Sequence, residues 1–427
     1  MSEVAAESNV ETTRKSQHIE TSLYPAIFFL KLLGIWHFEG KIGVLYRMYG
    51  HIMLFLVGSL YAASMLMYVI EVWGNLHEMT DAIYLLVTII SLTLKCTLLD
   101  YKQMIAMISL LSSEHFNRHV PEQDVFINTA MYICKRNSIV YLLMCTTVCW
   151  SWLVIPVITG AYQVKKLPFK GWYPFKTDSS PVYEMTCMYQ FLGVWFGALI
   201  NASMDTLASG LMVQACGQLE VLKHSLAHIR QQALRALNRH DETCSCGDKV
   251  WQCLRPVHLT QNSANFEQEV YKQVVQCILH HQAIVEFVNK LESTFTASIF
   301  AQVCAGAIAI CITGVELSIL DPYSFEFVTV SLYCMAITVE IFFYCWYGNE
   351  LFLTSTTVGD AVYMSDWHRF GPRVNKLLFI IMERSKRPLR LTAGKLFQLS
   401  LDTFTSILRS AYSLCAVIRQ MDMEYEA

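Results

Sequence analysis

The sequence predicts an all-α membrane protein: seven transmembrane helices, N-terminus cytoplasmic, C-terminus extracellular, with helices extended into a cytoplasmic anchor bundle. Three observations predict it. Of 427 residues, 54% are hydrophobic and only 16% charged, with mean hydropathy +0.36; soluble domains carry about 25% charged residues. Seven stretches approach the roughly 20 mainly apolar residues that a bilayer-crossing helix needs. Lys and Arg fall heavily on one side of the resulting topology.

Residues 1–43 read as a cytoplasmic arm with a pre-span helix; the opening MSEVAAESNVETTRKSQHIETS is polar and predicts no cleavable signal peptide. Spans one to four fall within 44–206. The first is IMLFLVGSLYAASMLMYVI (52–70) and the second, about 82–99, is interrupted by Lys95. The third is IVYLLMCTTVCWSWLVIPVITG (139–160) and the fourth MTCMYQFLGVWFGALINASM (185–204). Spans five and six lie within 297–346, as ASIFAQVCAGAIAICITGV (297–315) and a stretch around Glu340. The seventh occupies 391–421, and 422–427 is an extracellular tail.

Arg14, Lys15, Lys31, Lys41 and Arg47 precede the first span, and the 2–3, 4–5 and 6–7 connections hold four, eight and seven Lys and Arg. The 1–2 and 5–6 turns hold no Lys or Arg, and the 3–4 loop holds four Lys. The bias puts the N-terminus inside, opposite to a G-protein-coupled receptor. Residues 207–296 read as cytoplasmic helical extensions, because 217–237 and 266–294 keep a helical apolar period. Residues 238–262 read as a mobile loop between them, and 347–390 as a cytoplasmic anchor helix. Cys244, Cys246 and Cys253 with His240 and His258 form a weak zinc signal, since C-x-C lacks a second paired knuckle. No metal and no cofactor are expected. Most other cysteines lie in apolar runs and read as small hydrophobes.

The last span, LFQLSLDTFTSILRSAYSLCAVIRQM (396–421), separates into lines at helical spacing. Phe397, Leu401, Phe404, Leu408, Ala411 and Cys415 are apolar; Gln398, Asp402, Thr405, Arg409 and Tyr412 are polar. Thr403, Ser406, Ser410 and Ser413 make a hydroxyl line that continues into Val417 and Met421. Such a line suits either a bundle centre or a pore wall that closes on an apolar constriction. Lys95, Glu340 and Asp402 are expected to share a charge network; the alternative for Lys95 is snorkelling to the interface. Asp205 reads as a span-boundary residue.

No spacing for a nucleophile elbow, a zinc-protease helix or a phosphate loop occurs, so no enzyme is expected. Aromatic and small hydroxyl residues cluster instead: Tyr84, Thr88, Thr146, Thr147, Trp150, Phe191, Val194, Trp195 and Tyr333. They are the candidate ligand contacts, suited to a small, volatile, weakly polar molecule held by burial. Net charge −3 gives no electrostatic case for nucleic acid.

The C-terminal third resembles the insect odorant receptor family. The resemblance rests on Phe343-Tyr344-Cys345, Gly348-Asn349-Glu350, the run from Val358 to Tyr363, and Trp367. It continues through Arg387-Pro388, the run from Leu391 to Lys395, Leu399-Ser400-Leu401, Thr403-Phe404 and Ser410-Ala411-Tyr412-Ser413. It implies an odorant-gated, non-selective cation channel subunit in the sensory-neuron plasma membrane. It also implies tetrameric assembly with an odorant co-receptor, an odorant pocket among spans two, three, four and six, and a last helix lining the pore. By position, the implied gate falls on Val417 and Met421. The Ser-x-Tyr-Ser element at 410–413 resembles the odorant-tuned subunits and not the co-receptor. A gustatory-type channel is the near alternative and a G-protein-coupled chemoreceptor the remote one; a transporter would need inverted repeats, which the sequence lacks.

Overall fold

Helix α8 (Val182–Ala227) organises the chain. Its most apolar stretch is 78% buried, whereas the other long apolar helices reach 28–50%. A helix apolar on all sides belongs inside a bundle, and α8 is wrapped by α4 (Leu76–Leu98), α7 (Asp124–Ile158), α10 (Ser263–Ile319) and α11 (Phe325–Thr356). The computed structural model describes residues 21–36, 41–117, 120–158, 160, 165, 167–244 and 263–426.

Among the described residues, six helices are long and apolar enough to cross a membrane: Gly43–Glu71, Glu78–Leu98, Pro121–Ile155, Val182–Ala227, Asn265–Ile319 and Phe325–Arg369. The first contains a π-helical turn at Phe55–Leu60, and a short apolar helix, α1 (Thr21–Leu32), precedes it. The last helix, α14 (Leu401–Glu426), has 26 residues but too much polarity to qualify by hydropathy. The 46 residues of α8 and 57 of α10 make rods of about 69 and 86 Å at about 1.5 Å per residue. Both far exceed the roughly 30 Å of a hydrocarbon core, so they extend beyond it, as the apolar period of 266–294 predicts.

Local chemistry sets the breaks. Asn75 and Asp100 cap α4 and α5 (Tyr101–Leu111) through their side chains, and Ser324 caps α11. Pro372 opens α13 (Pro372–Ser385), where its missing N–H costs nothing. A two-stranded antiparallel hairpin, β1 (Thr392–Ala393) and β2 (Phe397–Gln398), follows. Gly394 and Lys395 both take positive φ in its turn, as hairpin turns require. The hairpin is tied to α10: Gly394 N donates to Thr296 O at 3.0 Å and Thr296 Oγ1 donates to Thr392 O at 2.8 Å.

Several expectations change here. Residues 391–400 are hairpin and cap, so the last helix begins at Leu401, and Phe397 and Gln398 are not on it. The segment 347–390 is not one helix: α11 ends at Thr356, α12 (Val358–Tyr363) follows, and Gly371-Pro372 restarts the chain as α13. The fourth-span extension breaks at His228, and α9 (Ile229–Cys244) carries helix into the segment read as loop. Residues 245–262, with Cys246, Cys253 and His258, lie outside the described residues, as does most of the N-terminal arm. Among the described residues twelve cysteines are free, and no His/Cys/Asp/Glu cluster fits a metal.

Candidate ligand cavity and buried charge network

Four helices, joined by Val57 of the Gly43–Glu71 helix, converge on a cavity of about 80 Å³ within the smaller of two apolar cores. Each contributes one face at three- or four-residue spacing. Helix α4 offers Leu85, Thr88, Ile89 and Leu92, and α7 offers Tyr141, Cys145, Val148, Cys149 and Trp152. Helix α11 offers Tyr333, Ala336, Ile337 and Glu340. On α8, Gly193 and Gly197 stand one turn apart with Val194, Ala198 and Asn201. A Cβ at Gly197 would lie 3.3 Å from Leu92 Cδ2, so the bare backbone there helps leave the space.

The end nearest the 3–4 loop is closed by rings and hydroxyls that satisfy one another. Thr88 and Tyr333 hydroxyls bond to each other. Each also lies within donating distance of Tyr84 O, at 2.9 and 3.2 Å, so two protons are shared among three contacts. Trp152 packs on Tyr333 at 5.5 Å and on Phe169 at 5.2 Å. Phe169 belongs to the loop, whose backbone Gln190 clamps: Phe169 N donates to Oε1 at 3.2 Å, and Nε2 donates to Phe169 O at 2.9 Å. Lys170 bonds Glu78 at 2.8 Å. Burial works against the Lys170 ammonium, yet the Glu78 carboxylate holds it above its ordinary range.

The deep end is charged. Lys95 Nζ donates to Asn201 Oδ1 at 2.7 Å, Asp205 Oδ1 at 2.5 Å and Glu340 Oε1 at 3.2 Å. Asn201 Nδ2 donates to Glu340 Oε1 at 3.1 Å, and Tyr141 OH to Glu340 Oε2 at 3.1 Å. Tyr344 OH donates to Asp205 Oδ1. Lys95, Asp205 and Glu340 are 1, 3 and 2% exposed. Their helical spacing is regular: Asn201 and Asp205 on α8, Glu340 and Tyr344 on α11, each one turn apart. The network therefore ties α4, α7, α8 and α11 together directly beneath the cavity.

The expected Lys95–Glu340 partnership is present, but Asp402 stands outside it. Asp402 is exposed in the first turn of α14, where its carbonyl accepts from Thr405 and Ser406. Asp205 takes its place. It is more than a boundary residue, because it is 3% exposed and holds Lys95 Nζ at 2.5 Å.

Of the candidate ligand contacts, Thr88, Val194 and Tyr333 line the cavity. Tyr84 lies behind Tyr333, ring centroids 5.0 Å apart. Trp150, Phe191 and Trp195 form an aromatic cluster of their own, with Trp150 45% exposed. Thr147 is exposed and bonds Leu143 O, and Thr146 also points away from the cavity. Sequence reasoning missed Tyr141, Cys145, Asn201 and Glu340 as lining residues. The signal was present: Tyr141, Cys145, Val148, Cys149 and Trp152 share one helical face.

On α14, Phe404 meets Phe342 at 5.5 Å, Ala411 is buried, and a Cβ at Gly314 of α10 would meet Cys415 Sγ at 3.2 Å. Ser406, Ser410, Ser413 and Val417 are exposed. The Met421 side chain lies outside the described residues.

Comparison with known proteins places this architecture. The family described as "7tm Odorant receptor" matches residues 75–412, most of the chain. The chain belongs to the insect odorant receptor family. This odorant receptor is 24% identical to Odorant receptor Or1 of Anopheles gambiae, covering 94% of this chain and 96% of that one. The odorant receptor coreceptor of the same mosquito is more distant, 20% identical over 68% of this chain and 73% of its own length. The fold matches the insect olfactory receptor OR5 from Machilis hrabei in complex with eugenol, with a TM-score of 0.78. That match has 15% identity and covers 95% of this receptor and 99% of that chain.

Proposed function

We propose that this receptor is an odorant-gated, non-selective cation channel subunit of the plasma membrane of sensory neurons, assembled as a tetramer with the odorant co-receptor. Seven helices span the membrane, the six long apolar ones and α14, with the N-terminus inside. The cavity beneath Trp152 and Tyr333 receives the odorant, and α14 lines the pore. One observation carries the channel reading. Helix α14 buries Ala411 and its apolar line against α10 and α11, yet leaves Ser406, Ser410, Ser413 and Val417 exposed. A helix that faced only lipid would not present a hydroxyl line; copies arranged about an axis give it a wet lumen, with Val417 and Met421 as the gate. The eugenol bound by the related fold supports a small aromatic or weakly polar odorant class.

The test is current on odorant addition in cells expressing the chain with the co-receptor, with guanine-nucleotide turnover blocked. Ser410→Cys, Ser413→Cys and Val417→Cys are then exposed to a thiol-reactive, membrane-impermeant reagent during stimulation. Block of the current at two or more positions is expected. Currents untouched at all three would remove α14 from the pore.

A further inference from the structure

The cavity is charged at one end only, and the acceptor capacity of that end is not spent. At the loop end, the two protons of the Thr88 and Tyr333 hydroxyls are already shared between one another and Tyr84 O. At the deep end, one ammonium faces two carboxyl groups, with Lys95 placed between Asp205 and Glu340. Asp205 Oδ2 is buried with no hydrogen-bond partner. Glu340 Oε2 receives Tyr141 OH at 3.1 Å, and a carboxylate oxygen has room for a second donor. Of this set, Glu340, Asn201 and Tyr141 line the cavity, whereas Lys95 and Asp205 stand behind them. The protein has more acceptor capacity at the floor than donors to fill it, and every other surface of the cavity is apolar or internally satisfied.

We propose that Glu340, framed by Asn201 and Tyr141, is the head-group site of this cavity and accepts a hydrogen bond from an O–H or N–H of the ligand. The preferred odorant class is then a compact apolar body ending in one donor, an alcohol, phenol, N–H heterocycle or ammonium, in preference to esters, ethers or hydrocarbons of the same size. Lys95 and Asp205 are positioning residues: they fix the Glu340 rotamer and never meet the ligand. This inference rests on the receptor reading of the cavity and deepens it. The selectivity follows from asymmetry in the penalty. A ligand without a donor occupies the apolar walls equally well but covers the carboxylate without replacing its solvation, and a hydrogen bond to a charged group is worth about tenfold or more in affinity.

The experiment measures binding directly, by quenching of tryptophan fluorescence in the purified receptor in lipid nanodiscs, corrected for lipid partitioning. Three probes of matched bulk are used: cyclohexylmethanol, its isomer methoxycyclohexane, and ethylcyclohexane; cyclohexylmethylamine is the charged-donor arm. The alcohol is expected to bind at least about tenfold tighter than the isomeric ether. Glu340→Gln keeps the Lys95–Asp205 pair and is expected to shrink that gap to under about threefold, by weakening the alcohol and relieving the penalty on the ether. Ether binding at least as tight as in the wild type also shows that the variant is folded. Val194→Phe, which fills the cavity, is expected to abolish binding of every probe. Equal affinities for alcohol and ether, a gap that survives Glu340→Gln, or absence of binding by all probes each overturn the inference. If the amine exceeds the alcohol, the donor site is an ion-pair site; if the alcohol exceeds the amine, it takes neutral heads; both orders support it. A donor preference without any current overturns the channel reading and leaves the floor assignment intact.

Discussion

Replacing Lys95 by Met is the sharpest test of the buried network. The ammonium is 1% exposed and donates to three side-chain oxygens at 2.5–3.2 Å. Its removal leaves Asp205 and Glu340, both almost fully buried, without a counter-charge. Breaking one member of such a set costs about 3–5 kcal/mol, because the surviving charges keep their desolvation penalty. Glu340→Gln is expected to cost far less, about 1 kcal/mol, since Lys95 keeps Asp205 at 2.5 Å. Converting all three charged residues together, Lys95→Met with Asp205→Leu and Glu340→Leu, is expected to recover most of the loss, because the penalty belongs to the broken set and not to its absence. The assay is the thermal midpoint of the detergent-solubilised receptor, followed by fluorescence-detected size exclusion, with surface abundance in parallel. The expected order is wild type, then Glu340→Gln, then Lys95→Met, with the triple variant above Lys95→Met. A Lys95→Met receptor that melts with the wild type, or a triple variant no better than the single one, refutes the reasoning.

Three further outcomes follow from particular contacts. Gly348→Ala places a Cβ 2.5 Å from Leu399 Cβ and 2.9 Å from its carbonyl oxygen, just before α14 begins. Overpacking of this kind costs about 1–3 kcal/mol, so surface abundance falls, whereas Gly193→Ala, whose Cβ meets Tyr61 at 3.7 Å, is tolerated. Gln190→Leu removes both bonds to the Phe169 backbone and one to Tyr173 OH. Amide exchange across 167–175 then rises, with a stability loss of about 1–3 kcal/mol from the newly unpaired backbone groups. Gly197→Val projects into the cavity toward Leu92 and Val57 and is expected to weaken ligand binding by tenfold or more, read as a rightward shift of the dose–response curve.

The fold was legible where one periodicity ruled a long stretch. The unbroken apolar period of 266–294 gave α10 its extension, and the absence of Gly and Pro there left nothing to stop it. Short polar punctuation was harder. Leu391–Ser400 carries apolar residues at spacings that suit a helix, and only Gly394, at positive φ and pressed against Phe300, marks the turn that makes it a hairpin. Asp205 was misjudged because hydropathy marks the fourth span as ending there, whereas the helix continues under the membrane-facing stretch. The candidate pocket was half legible. Residue type picked out the aromatic cluster of Trp150, Phe191 and Trp195, of which only Trp150 is exposed, while facing direction, which type does not encode, decides that Tyr141 and Trp152 point inward. Lys95 and Glu340 were found because intramembrane charge is rare and costly. Their third partner required the crossing of two helices that sequence alone does not position.

The hairpin ahead of α14 gives that helix a fulcrum. Thr392 and Gly394 fasten it to α10 through Thr296, and Phe397 stacks on Phe300 of the same helix. From Leu401 to Val417 the lever is about 24 Å at about 1.5 Å per residue, so a tilt of about 5° swings its far end by about 2 Å. In the tetramer proposed above, four such levers hinged at their bases would widen an aperture by roughly the girth of a water molecule while disturbing almost nothing near the pivots.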